Sequence, residues 1–426
     1  MALSIIAILA VLLADMQEST GTDFAVAVSL RDNLRAEYMA KSGMNLTRLL
    51  VANEPTIRKV VAPLYQMALG RPPPELPVWE FADTLLQPFC QYESIQDLDV
   101  GVDFQSAQGL GKSPGTCEIR SVAENAKINV NDPLFRDGNA AKKEVALQLF
   151  AMMGGYQSPS PFDPLFSGRD DQGQFTSRLD IISSLVDWWD PDQQRTTFDP
   201  GRAEIATAGS EDDPYARYED PYVIKNAPFD SIEEIRLVRG VSDDFWATFV
   251  EPEPDDIQSR KITVYGSGSV NPNSAPPEVL LARLCSIVGD TTLCIDPLEA
   301  AKFTQLLGTI RSIAPIPFFT RAGDFLNFVE GKGGARDLYP LVHSMLGDNN
   351  PLLFKPINIS DQKKRQELAS LFVTSARIIM VESTGVVGRA RVRERAVINF
   401  HDRWTPPPPN AGTMPKLGIF HYYRVD

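Results

Sequence analysis

Histidine is almost missing from this 426-residue chain, with only His343, His401 and His421, far apart in sequence. Cysteine is scarce too, at four, and no pair has metal-finger spacing, so zinc is not expected. The sequence contains no Gly-x-Ser-x-Gly elbow and no His-Glu-x-x-His. No Ser/His or Cys/His arrangement supplies a nucleophile with its base, so the chain is expected not to be an enzyme. Positive charge is also short: 41 Lys and Arg against 55 Asp and Glu leave a formal net charge of -14. Nucleic acid is a polyanion that needs a basic counter-surface, so it is not an expected partner. A mean hydropathy of -0.15 excludes a polytopic membrane protein. The 43% hydrophobic and 23% charged content is that of a folded chain, long enough for two or three domains.

Residues 2–14 form an apolar run broken only by Ser4, with no basic residue before it and no small-residue cleavage pattern after it. A secretory leader carries both. The run is therefore expected to open a mature helix, with Met1 as its processed N-terminus. Leu34, Tyr38, Met39, Leu46, Leu49 and Leu50 keep a rough helical period, which predicts one helix over Ala2–Val51. The apolar start spans about 21 Å at the helical rise, against a hydrocarbon core of ~30 Å. A single membrane pass thus needs the milder residues that follow, a thinned bilayer, or neighbouring helices. Asp15, Glu18 and Asp23 come next, an acidic flank consistent with export of everything beyond it.

Residues 53–100 read as a helix end and loops, broken at Pro72-Pro73-Pro74, and residues 116–130 read as two short strands around a turn. From Asn131 to Asp361 the pattern is mostly helical: Ala141–Met153, Arg178–Trp189, Ser231–Arg239, Asp243–Phe249, Pro277–Val288, Pro297–Arg311 and Gly323–Val329. Strands are then predicted over Phe372–Glu382, Arg389–Phe400 and Leu417–Val425. Ser383-Thr384-Gly385 stands as a turn, and Pro406–Pro409 as a loop. The order helix, strands, helical block, strands predicts an α+β fold in which a helical domain interrupts a small sheet.

Carboxylates concentrate in two segments, Asp187-Trp-Trp-Asp190-Pro-Asp192 and Glu211-Asp212-Asp213. Asp187 and Asp190 share a helix face, and the six acids of these two segments lie within 27 residues. A hard cation that takes six to eight oxygens would relieve their repulsion. From the residues alone helix capping and simple solvation are the preferred account, and an EF-hand register fails because Arg195 stands where its glycine belongs. Cys90 with Cys117 and Cys285 with Cys294 form two sequence-local pairs, consistent with two disulfides in an oxidising compartment or with four buried thiols.

Three other segments read as structural. Ser231 and Glu234 make a capping box closed by Gly240, but Ser242-Asp243-Asp244 follows, which repels DNA phosphate. Gln108-Gly-Leu-Gly-Lys-Ser113 resembles a phosphate loop without its first glycine or its helix. Arg389, Arg391, Arg393 and Arg395 stripe one strand face, consistent with a solvated sheet surface.

Taken together the chain resembles the K-type minor pseudopilins of bacterial type II secretion (general secretion pathway protein K) over nearly its whole length. The resemblance rests on Met1-Ala-Leu, on Ile5 where other pseudopilins carry glutamate, and on Lys127-Ile-Asn-Val-Asn131, Asp187-Trp-Trp-Asp-Pro-Asp192 and Gly209-Ser-Glu-Asp-Asp-Pro-Tyr215. It rests also on Pro228–Gly240 and Ser269–Leu280. It implies a pilin-like long N-terminal helix packed on a small antiparallel sheet, with a large, mainly helical domain inserted between strands. The corresponding division is 1–25 membrane or pseudopilus-core helix, 26–130 first pilin-like part, 131–361 inserted helical domain, and 362–426 second pilin-like part.

The resemblance also implies calcium in the inserted domain, with Asp187, Asp190, Asp192, Glu211, Asp212 and Asp213 as candidate ligands. It implies a non-enzymatic subunit at the tip of the periplasmic pseudopilus, helping to initiate assembly and promote export across the outer membrane. Expected partners are I- and J-type minor pseudopilins, other pseudopilins and the inner-membrane assembly platform. The expected location is the inner membrane, single-pass, with the bulk of the chain in the periplasm. Ile5 fits a tip: a glutamate there is thought to meet the amine of a neighbouring subunit, and an unpaired buried carboxylate costs several kcal/mol. A type IV pilus tip minor pilin shares this architecture and is the alternative. Asp15 within the membrane-facing helix and Gly209-Ser210 before the acids depart from the family pattern, and residues 289–361 have no counterpart in it.

Overall fold

The computed structural model describes residues 2–70, 72–90, 115–131, 138–169, 173, 175–313, 317–334, 337–347, 350–401 and 416–426. Met1, the Gln108–Ser113 segment and Pro406–Pro409 lie outside the described residues. The chain divides into two compact units. The first comprises residues 1–53, 78–121 and 380–426, the second 54–77 and 122–379.

In the first unit, helix α1 (Ala2–Leu69, of which the first 53 residues belong here) packs on a four-stranded sheet of order β1-β6-β7-β8. The strands are β1 (Thr116–Ala123), β6 (Ile378–Val387), β7 (Ala390–Asn399) and β8 (Ile419–Val425). Two residues, Gly388 and Arg389, join β6 to β7, and such a short connection makes the pair antiparallel. β7 and β8 are antiparallel as well, with a bulge between Val397 and Ile398. Strand β6 is buried along almost its whole length. Ser383-Thr384-Gly385, expected as a turn, lies inside β6, and the turn comes three residues later, where Gly388 adopts φ +59°. The reason is close packing. A Cβ on Gly385 would sit 1.9 Å from the carbonyl oxygen of Ala36, and one on Gly43 would sit 2.4 Å from Ser383 Oγ. Small residues on both elements let the helix backbone lie on the strand.

Short helix α2 (Ala82–Cys90) is tied to β1 by the Cys90–Cys117 disulfide, and Ser121 Oγ donates to the Trp79 carbonyl behind it. The first turns of α1 expose Ile5, Ile6, Ile8, Leu9, Val11, Leu12 and Leu13. Among the described residues no helix is long and apolar enough to cross a membrane; the carboxylates at 15, 18 and 23 end the apolar run early. The helix also continues past Val51, carrying Pro55 and Pro63 within it.

The second unit is mainly helical: α3 (Asn139–Met152), α4 (Arg178–Trp189), α5 (Asp243–Phe245, running into a π turn to Val250), α6 (Pro277–Val288), α7 (Thr292–Ile295), α8 (Pro297–Ile313), α9 (Ala322–Val329), α10 (Leu338–Leu346) and α11 (Gln362–Leu371). Helix α3 packs against α4 and α6, and α6 against α8. Phe303, Phe319, Phe328 and Phe354 interlock edge-to-face in the core beside α8 and α9. The predicted helix at Ser231–Arg239 is a 3-10 helix over Ile232–Leu237, with its capping box and left-handed Gly240 (φ +84°) as expected. The second disulfide, Cys285–Cys294, joins α6 to α7.

Two pieces of sheet interrupt the helical block. Residues 116–130 do not form a hairpin: β2 (Ile128–Asn129) pairs in parallel with β5 (Ile262–Thr263), 134 residues away. The motif ending at Asn131 brackets this pairing, because Asn131 donates to the Phe229 and Val264 carbonyls and accepts from Phe229 N–H. Likewise Asn273, within the Ser269–Leu280 motif, both donates to and accepts from the Phe319 backbone. The other piece, which the sequence reading missed, is an antiparallel hairpin of β3 (Gln194–Asp199) and β4 (Glu204–Ser210).

Candidate metal centre

The site grows from the C-terminal end of α4. That helix starts at a reciprocal capping box, with Asp180 N–H on Ser177 Oγ and Ser177 N–H on Asp180 Oδ2. From Ile181 to Trp189 every residue is buried, so Asp187 in the last turn is carried into the core by its apolar neighbours. Asp190 ends the helix in an extended conformation. Pro191 then turns the chain back, and Asp192 N–H donates to Asp190 Oδ1 at 3.1 Å. Strand β3 returns past α4, where Thr196 N–H donates to Asp187 Oδ1 at 2.8 Å. The hairpin supplies the distant part. Gln194 is paired with Ser210, so Glu211, next along the chain, arrives beside the α4 carboxylates.

Asp187, Asp190 and Glu211 each offer an oxygen within 4.8 Å of the others, and all three are buried. Asp190 is wholly buried and Glu211 is 2% exposed. Among the described residues neither oxygen of Glu211 has a hydrogen-bond partner. Burial, and then the charges of Asp187, Asp190 and Asp192, push the Glu211 carboxyl up to about 9. Burial raises Asp187 to about 7, against its hydrogen bonds from Thr196. Asp192 moves the other way: burial opposes it, but the hydrogen bond from Lys142 holds it below the ordinary range.

Lys142, reaching in from α3, places its Nζ 2.7 Å from Asp190 Oδ2 and 2.6 Å from Asp192 Oδ2. No expectation included this residue. The signal was present in the helix period, since Lys142 shares its buried face with Val145, Ala146 and Leu149 and is itself 1% exposed. A lysine on an apolar stripe needs an anion to meet it.

Of the six acids singled out in the sequence, three form the nest and Asp192 joins it through Lys142. The others lie outside it. Asp212 is half-buried and accepts the Ile224 N–H at 3.1 Å, and its carbonyl caps the turn at Tyr215 and Ala216. Asp213 is exposed.

The donor set fits calcium chemically. It consists of carboxylate oxygens without nitrogen or sulfur, the preference of a hard cation. Two oxygens bound to one calcium at its usual ~2.4 Å lie at most ~4.8 Å apart, and the three oxygens here lie within 4.8 Å of one another. A buried carboxylate lacking any donor is a costly feature that a cation in the nest would relieve.

Three arginines of the stripe meet carboxylates within their own unit. Arg395 and Arg393 face Glu382, at 2.8 and 3.9 Å, and Arg391 faces Glu118. The segment after Gly240 is likewise acidic and paired, Asp243 with Arg236.

Residues 172–250, which contain α4, the hairpin and Glu211, match the family model described as type II secretion system (T2SS), protein K. The K-type resemblance read from the sequence motifs agrees with this match. Among solved structures, the chain is similar to one in the GspK-GspI-GspJ complex from the enterotoxigenic Escherichia coli type 2 secretion system. The two share 14% identity over 74% of this chain and 80% of that one, with a TM-score of 0.41. No curated protein sequence matches the chain.

Proposed function

We propose that this chain, similar over residues 172–250 to type II secretion system protein K, is a non-enzymatic minor pseudopilin that sits at the pseudopilus tip and helps start its assembly. The observation that carries the reading is one polypeptide holding both the K-type segment and a long helix laid on a four-stranded sheet. The exposed apolar start of α1 would hold the chain at the inner membrane before assembly and lie among neighbouring pseudopilin helices after it. Ile5 keeps that stretch free of a carboxylate that a terminal subunit would leave unpaired. The partners would be I- and J-type minor pseudopilins, as in the similar complex. Co-expression with these proteins from the same genome, followed by affinity purification of the full chain, tests the assignment. A stable ternary complex is expected, and a chain that elutes alone at micromolar concentrations counts against it.

Within the second unit, Asp187, Asp190 and Glu211 would hold a structural calcium ion, with Asp192 at its edge. Glu211 carries this part, being buried and without a donor. By mass action, calcium at a hundred times its dissociation constant stabilises the chain by about 2.7 kcal/mol. Melting of the full chain with calcium and with a chelator tests it, and coincident curves reject the site.

A further inference from the structure

We propose that Lys142 is a tethered cation that competes with the divalent ion for Asp190 and Asp192, and so sets how tightly the nest binds metal. The inference rests on the calcium reading of the same nest. Asp190 Oδ2 lies 2.7 Å from Lys142 Nζ as an ion pair, and its Oδ1 accepts the Asp192 N–H. Asp192 has both oxygens engaged, Oδ2 by Lys142 and Oδ1 by the Gln194 N–H at 2.7 Å. An ion that takes an Asp190 oxygen must therefore share that carboxylate with an ammonium, placing two like charges a few ångströms apart in a dry site. Either the ammonium yields or the ion binds less tightly than three carboxylates would allow.

Lys142 is not held there by solvent or by a second acidic surface. Its side chain is 2% exposed, and Asp190 and Asp192 are the acids it pairs with. It neutralises the α4 end of the nest and leaves Glu211 without a donor. The metal-free nest is thus partly organised before any ion arrives. Lys142 gives up affinity in exchange for a fold that does not collapse by carboxylate repulsion when calcium is scarce.

A purely structural ion pair between α3 and the end of α4 makes a different prediction: its loss lowers stability and leaves calcium affinity the same or weaker. Calorimetric titration of calcium chloride into metal-stripped full chain, wild type and Lys142→Met, separates the two. The expected result is binding at least tenfold tighter in Lys142→Met, or a second ion per chain. Equal or weaker affinity with unchanged stoichiometry overturns the proposal. A wild type that takes up no calcium rejects the calcium reading by itself. In that case Lys142→Met gaining a site supports the tethered cation, and Lys142→Met remaining silent rejects it.

A second measurement needs no variant. Amine labelling of the wild-type chain, read at Lys142 by mass spectrometry, should rise several-fold at the calcium concentration that saturates the heat signal. Protection of Lys142 unchanged by bound calcium overturns the competition.

Discussion

Replacing Glu211 by glutamine should stabilise the metal-free chain and remove its response to calcium, two effects of opposite sign from one substitution. Without metal the buried Glu211 carboxyl titrates at about 9, whereas the ordinary value is 4.5. The folded state therefore keeps its proton at neutral pH while the unfolded state has lost it. Between those two values the folded state binds more protons, so stability falls as pH rises. At pH 7 the gap from 4.5 is 2.5 units, which at 1.36 kcal/mol per unit amounts to roughly 3 kcal/mol. Glutamine cannot ionise in either state and escapes this cost. Metal-free Glu211→Gln is thus expected to melt higher than wild type, on the order of 6 °C for a body of this size. The difference should fall to about 0.4 kcal/mol at pH 4.5, where half of the unfolded carboxyl has taken up its proton, and vanish below it. In calcium the order reverses, since wild type gains the binding free energy and the variant does not. Paired melting curves at pH 5 and pH 7, with calcium or chelator, read all four cases. A variant less stable than wild type at pH 7 without metal, or one with an undiminished calcium response, would refute the reasoning.

Calcium uptake should expel protons, about 1.5 at pH 7 from Glu211 near 9 and Asp187 near 7. Affinity should then weaken toward pH 6 and strengthen toward pH 8. Titration in buffers of different ionisation enthalpy measures the release, and none would mean that the nest is not the site. Gly385→Ala forces a Cβ into the Ala36 backbone and should cost the first unit about 3 kcal/mol. Hydrogen exchange along β6 and β7 would show it, and a fully protected sheet would contradict the packing. Changing both Cys285 and Cys294 to serine opens a loop closed over a separation of nine residues and should remove about 3 kcal/mol by the loop-entropy relation. Urea denaturation of the variant with the wild type's midpoint would contradict that estimate.

Short-range signals were legible in the sequence because their causes are short-range. Helix α4 and helix α6 begin and end where their caps, prolines and apolar periods place them, at Arg178–Trp189 and Pro277–Val288. Gly240 takes the left-handed conformation that its position after a capped turn requires. Each cysteine found its sequence-local neighbour. The α+β class followed from the order of such elements. Ser383-Thr384-Gly385 misled because small polar residues signal a turn unless another backbone needs the space, and that backbone, at Ala36, is more than three hundred residues away.

The acids of the site could be listed from the sequence, but not sorted. Asp187 and Asp190 are local to one helix end, so their proximity was fixed by spacing alone. Glu211 joins them only because β3 and β4 pair with Gln194 opposite Ser210, while Asp212 and Asp213, its immediate neighbours, turn away. Lys142 enters from a helix whose packing against α4 no local pattern specifies. Caps, periods and turns act over a few residues, so the sequence by itself determined where the helices run and that carboxylates gather near α4. Burial and charge pairing act across the fold, so only the tertiary structure decided which carboxylates lose water and which lysine answers them.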